Sequence, residues 1–361
     1  MSDPNSPIST STLEYYHALP EPVGPPPKKR YWLHALLLLA TCFTTLVTGA
    51  RMQDNFAHNL PALSLSDDSA PLFPVNWVFS DPRHALSGLP FAAAVMLFFL
   101  AHEMGHYLYC RHYGIYATLP FFIPMPTLIG TMGAVIVIRS PIRSRKALFD
   151  IGIAGPIAGF VAALALLVLS LGWSKPMPAS FHPGVADEIG YPLIFQWIYG
   201  LLAAINPASA VASLPLSRVL LHPVAIAAWV GMFATALNLL PGGQLDGGHI
   251  LYSISPRAHW FVSRLAILIL LPLAYYFWAG WIVWAILLQL SSLRRPDVAE
   301  FPKVSGTRGW LALFALFMLI CTFSLAPLGR HPAREVGSDL WQVFHDLGLS
   351  LRSVLLHWMK R

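Results

Sequence analysis

Charge is scarce in this chain: 11% of its 361 residues are Asp, Glu, Lys or Arg, against 56% hydrophobic residues and a mean hydropathy of +0.58. A soluble protein of this length needs a polar shell that such a composition cannot supply, so the bilayer is the expected solvent. Cysteine is scarce as well. Cys42, Cys110 and Cys321 each lie in or beside a different apolar run, which argues against a disulfide framework and a cysteine-rich zinc knot and leaves three small buried hydrophobes. No loop is long enough for an appended soluble domain, and no internal repeat recurs. The net charge of +6 is dispersed in short basic patches without any nucleic-acid-reading motif. Membrane topology accounts for it, and no nucleic acid is expected as a partner.

What is abundant is apolar sequence. Runs beginning at Trp32, Leu89, Leu148, His222, Phe261 and Trp310 are each long enough to cross a hydrocarbon core, which takes roughly 20 helical residues. The expected fold is an all-α multi-spanning membrane protein: a bundle of six to eight transmembrane helices with a re-entrant or β-hairpin segment near the active site. Residues 1–31 are rich in Pro and Ser and end in Lys28, Lys29 and Arg30, which reads as a disordered cytoplasmic tail. A first span and external loop follow (32–88), then a core (89–255), C-terminal spans (256–327) and a C-terminal tail (328–361). Asp54, Asp67, Asp68 and Asp81 suit the external loop. Arg139, Arg143, Arg145 and Lys146 suit a cytoplasmic one.

Two segments break the helical pattern. Residues 118–138 contain Pro120, Pro124, Pro126, Gly130 and Gly133, a poor recipe for a helix, and are expected to form a re-entrant segment ending in a strand from Ala134 to Arg139. Residues 191–205, with Trp197 and Tyr199, suit an interfacial or lid helix. Residues 261–290 are too long for one comfortable span and carry Pro272, so one kinked helix and two short crossings both fit.

His102, Glu103, Met104, Gly105 and His106 match H-E-x-x-H, which sets two imidazoles one turn apart on one helical face with a glutamate beside them. Zinc takes both nitrogens, a third protein ligand leaves a position for water, and Glu103 is placed to take that water's proton. Ionisable groups inside an apolar helix are costly and mark function.

Three residues compete as third ligand. His112 nearly completes a longer histidine motif, but Tyr109 stands where that motif needs Gly to turn the chain back. Cys110 shares the face of His102 and His106, yet residues 102 and 110 on one straight helix lie about 12 Å apart along the axis, too far to share a tetrahedral ion. Asp246 is the better choice. It follows Pro241, Gly242 and Gly243, which break the fourth span, and a lone carboxylate at that depth wants a cation.

HEMGH, FFIPMP, GTMG, RSPIRSRKALFD, AGPIAG and NLLPGGQLDGGH, in this order over residues 89–255, resemble the site-2 protease family of intramembrane zinc metalloproteases. The resemblance implies one Zn2+ per chain on His102, His106 and Asp246, with Glu103 as catalytic base. It implies support of substrate or transition state by Asn238, and substrate engagement by the segment holding Gly130 and Gly133; His249 has no assigned role. It further implies a transmembrane protein substrate cleaved in regulated intramembrane proteolysis, with the lipid bilayer as surroundings; a prokaryotic inner membrane is the expected location, and Lys28 to Arg30 put the N-terminus on the cytoplasmic side. Some members carry PDZ domains, for which residues 173–221 are too short. The competing class is a membrane metal transporter or inactive scaffold, for which Glu103 has no evident use.

Overall fold

The computed structural model describes residues 31–64, 73–142, 144–179, 181, 189–292 and 306–335. The expected tails therefore lie outside the described residues, apart from Tyr31, which is already helical, and 328–335. Lys28 to Arg30, Asp67, Asp68, Arg143, Asp187, Glu188, Arg294, Arg295 and Lys303 also lie outside them.

The chain is a multi-spanning all-α membrane protein. Helix α1 (Tyr31–Ala57) is followed by the short α2 (Val75–Val78) and α3 (Pro82–Ser87), then by α4 (Leu89–His112). Asp81 caps α3 by accepting from the Arg83 backbone N–H at 2.8 Å. Strands β1 (Phe121–Pro124) and β2 (Thr131–Val135) precede α5 (Arg145–Leu171), whose N-cap Ser144 accepts from Ala147 N at 3.1 Å. A two-residue pair, β3 (Lys175–Pro176) with β4 (Val219–Leu220), brackets α6 (Leu193–Ile205). Helices α7 (Pro223–Asn238), α8 (Asp246–Ile254), α9 (Pro256–Tyr276), α10 (Gly280–Ser291) and α11 (Arg308–Thr322) complete the described bundle.

Among the described residues, four segments are long and apolar enough to cross a membrane: α1, α3 with α4, α5 and α9. Helices α6, α7, α10 and α11 are apolar but shorter. Helix α7 is short because the chain breaks after Asn238, where Pro241 cannot donate a helical hydrogen bond. Every residue from Pro223 to Met232 is buried, so α7 is enclosed on all sides, packed against α4, α5 and α11.

Two expectations need correction, and one open alternative is decided. The strand starts at Thr131, not Ala134: Gly130, at φ 74°, makes the turn, and Thr131 Oγ1 donates to the Ile123 carbonyl at 2.8 Å. The resulting antiparallel hairpin pairs Phe121 with Val135 and Phe122 with Ala134. Residues 261–290 form two helices broken at Phe277–Ala279, while Pro272 is carried inside α9; Ala279 N donates instead to the His331 carbonyl at 2.8 Å. Cys42 is exposed on α1, whereas Cys110 and Cys321 are buried.

Helix α1 seats the hairpin. Thr48 Oγ1 donates to Thr127 O at 3.3 Å, and the His34 ring stacks on Phe121 with centroids 3.9 Å apart. Gly130 lies so close to α1 that an added Cβ would come within 2.7 Å of the Thr44 carbonyl oxygen.

Candidate metal centre

The last turns of α4 bury His102, Glu103 and His106 inside the bundle. Two glycines of α5 make room for the imidazoles. A Cβ at Gly155 would collide with the His106 ring, and one at Gly159 would approach His102 Nδ1 to 3.0 Å. Asp246 comes from the opposite direction, as the first residue of α8. There Gly247 lets the new helix lie directly against the Leu239 carbonyl, a space that a Cβ would fill.

The three groups converge. His102 Nε2 and His106 Nε2 are 3.2 Å apart, and each is 3.3 Å from Asp246 Oδ2. Donors about 2.0 Å from a tetrahedral zinc ion would be separated by about 3.3 Å, so the triangle has the edge length of a zinc site. Two imidazoles and one carboxylate with one side open form a donor set of the catalytic zinc kind. The open side is a cavity of about 260 Å³ lined also by Glu103, Asn238 and His249 and by strand residues Ala134 and Val135.

His106 Nδ1 lies 2.8 Å from the Ile151 carbonyl. A carbonyl only accepts, so Nδ1 carries the proton, which leaves the Nε2 lone pair available to an ion held between His102, His106 and Asp246. Glu103 Oε2 accepts from the Ile136 backbone N–H at 2.9 Å, which holds the carboxylate at the end of the hairpin. Asn238 Nδ2 sits 3.2 Å from His102 Nε2. The Nδ1 atoms of His102 and His249 are buried without a hydrogen-bond partner among the described residues.

Other expected residues fall elsewhere. His112 is exposed at the end of α4, apart from the converging group, and Cys110 packs with Ile115, Ala147 and Ile151. Gly130 and Gly133 do not line the cavity; Gly130 faces α1, and Gly133, at φ 101°, faces the Phe99 ring. The hairpin meets the cavity one step later, at Ala134 to Ile136. Ile136, Ile151, Gly155 and Gly159 carry no chemistry in their side chains and escape a motif search, although the spacing of glycines in AGPIAG was a readable sign of close helix packing.

The peptidase family M50 model matches residues 90–273, about half of the chain. The chain belongs to peptidase family M50. The M50 match takes in the His102–His106 helix and Asp246 together. The proteins named Probable zinc metalloprotease EGY1, chloroplastic, from Oryza sativa subsp. japonica and from Arabidopsis thaliana are similar to it. The first is 30% identical over 322 residues, covering 88% of this chain and 54% of the relative. The second is 28% identical over 328 residues, covering 89% and 57%. Probable zinc metalloprotease EGY2, chloroplastic, from Arabidopsis thaliana is 32% identical over 204 residues, covering 56% and 34%. The chain thus spans about half the length of the curated relatives it matches. Zinc stands in the names of these relatives, and His102, His106 and Asp246 of this M50 chain form a group that could hold such an ion.

Proposed function

We propose that this M50 chain is an intramembrane zinc endopeptidase that hydrolyses a peptide bond within or near a transmembrane segment of a membrane-protein substrate. The observation that carries the reading is the 3.2–3.3 Å triangle of His102, His106 and Asp246 beside Glu103, on a helix apolar and long enough to span a bilayer. These three residues are the proposed ligands of one Zn2+ per chain.

When bound, Zn2+ supplies Lewis acidity that activates water and polarises the scissile carbonyl. Glu103 takes a proton from the attacking water and delivers it to the leaving amine, while the Ile136 N–H keeps its carboxylate aimed. Asn238, on the cavity wall, is placed to donate its amide to the substrate carbonyl. A helical substrate shields its peptide bonds, so it must unwind first. The hairpin that contributes Ala134 to Ile136 to the cavity offers main-chain groups to an unwound segment, and Gly130 and Gly133 set its shape.

A metal transporter or inactive scaffold accounts for the ligands but not for a carboxylate beside them. The integral-membrane location rests on the helices. The relatives are named chloroplastic, so they lend no support to a prokaryotic inner membrane; the orientation proposed here, N-terminus cytoplasmic, rests on the basic residues Lys28 to Arg30 and Arg139 to Lys146.

The test is the full chain reconstituted with a single-span model substrate. Chelation is expected to stop cleavage, zinc to restore it, and the product ends to map to the span or its edge. Cleavage that persists in metal-free protein sinks the reading.

A further inference from the structure

Asp150 is the only acid in α5, and it is buried. Arg308, the first residue of α11, meets it with both prongs of its guanidinium: Nε donates to Oδ1 at 2.8 Å and Nη2 to Oδ2 at 2.6 Å. Tyr113, directly after α4, donates its hydroxyl to Oδ2 of the same carboxylate. Burial first, then this hydrogen bond, pushes the Tyr113 phenol above its ordinary value, so it stays a neutral donor. Three elements are therefore tied at one carboxylate, and the next residue along α5 is Ile151, whose carbonyl orients His106.

We propose that the Tyr113–Asp150–Arg308 tie is part of the metal centre: it positions the Ile151 carbonyl against His106 Nδ1, so that zinc affinity depends on helix α11. The proposal rests on the ligand assignment above. Arg308 lies beyond residues 90–273 matched by the family model. Helix α11 packs against α5, α6 and α7, so its position is communicated to the first turns of α5 by packing as well as by the ion pair. A bidentate pair fixes direction as well as distance, which a single point charge does not. Partners one step removed from a metal ligand commonly set metal affinity by about 10- to 100-fold.

The test uses the full chain in detergent or nanodiscs, with zinc affinity measured by competition against a chelator and folding followed by thermal unfolding. Arg308→Gln and Asp150→Asn are expected to weaken zinc binding about ten-fold or more, with Arg308→Lys intermediate and excess zinc restoring full occupancy. Unchanged zinc affinity in both, even with a lower unfolding midpoint, makes the tie a structural staple and overturns the proposal. Should either variant fail to fold, Tyr113→Phe removes one hydroxyl only; it is expected to weaken zinc several-fold, and wild-type affinity there overturns the proposal equally. A wild-type chain that binds no zinc refutes the ligand assignment itself, whereas wild-type binding with unaffected variants counts against the tie alone.

Discussion

A methyl group at position 155 would occupy the space of the His106 ring. Gly155→Ala is therefore expected to displace His106 and empty the site, at an overpacking cost of about 1–3 kcal/mol. Zinc per chain and the unfolding midpoint check this, and full zinc occupancy with normal stability would contradict it. Asp246→Ala should lose zinc, whereas His112→Ala and Cys110→Ala should keep it; metal analysis of the three purified variants decides the ligand assignment. At this scale the proposed site residues are legible because ionisable groups in apolar sequence need a reason. Asp150 presented the same signal and was passed over. Its partner, Arg308, stands 158 positions further on, beyond the reach of any local pattern.

Among the elements, the hairpin joins the first span to the active centre. Its prolines ruled out a helix from sequence alone, but the strand boundary depended on Gly130 and on the seat that α1 provides, which only the folded chain reveals. Gly130→Ala combines a positive φ with contact against the Thr44 and Thr45 backbone, so it should unseat the hairpin. The expected result is normal zinc content with cleavage lowered at least several-fold; cleavage of a model transmembrane substrate at the wild-type rate would show that the seat is dispensable. The two helices of residues 256–291 were left open by the sequence for a related reason. Pro272 looked like the breaking point, but the chain breaks at Phe277–Ala279, where the His331 carbonyl from a distant segment takes the Ala279 N–H.

For the whole molecule, composition alone assigned the bilayer, and the order of motifs along the chain assigned the peptidase family. Depth within the bundle was harder to read. Helix α7 is shorter than a typical span because the chain breaks after Asn238; it ends with Asn238 beside His102, and the chain re-enters helix α8 with Asp246 at the same level. Burying two imidazoles and two carboxylates together is costly unless positive charge offsets the carboxylates, the role proposed here for Zn2+. The central claim, that this cluster is a hydrolytic centre and not a storage or transport site, is tested most directly by Glu103→Gln in the purified full chain with a transmembrane substrate. One zinc per chain should remain, while cleavage falls by about 10²-fold or more. Cleavage at the wild-type rate with zinc still bound would contradict the account.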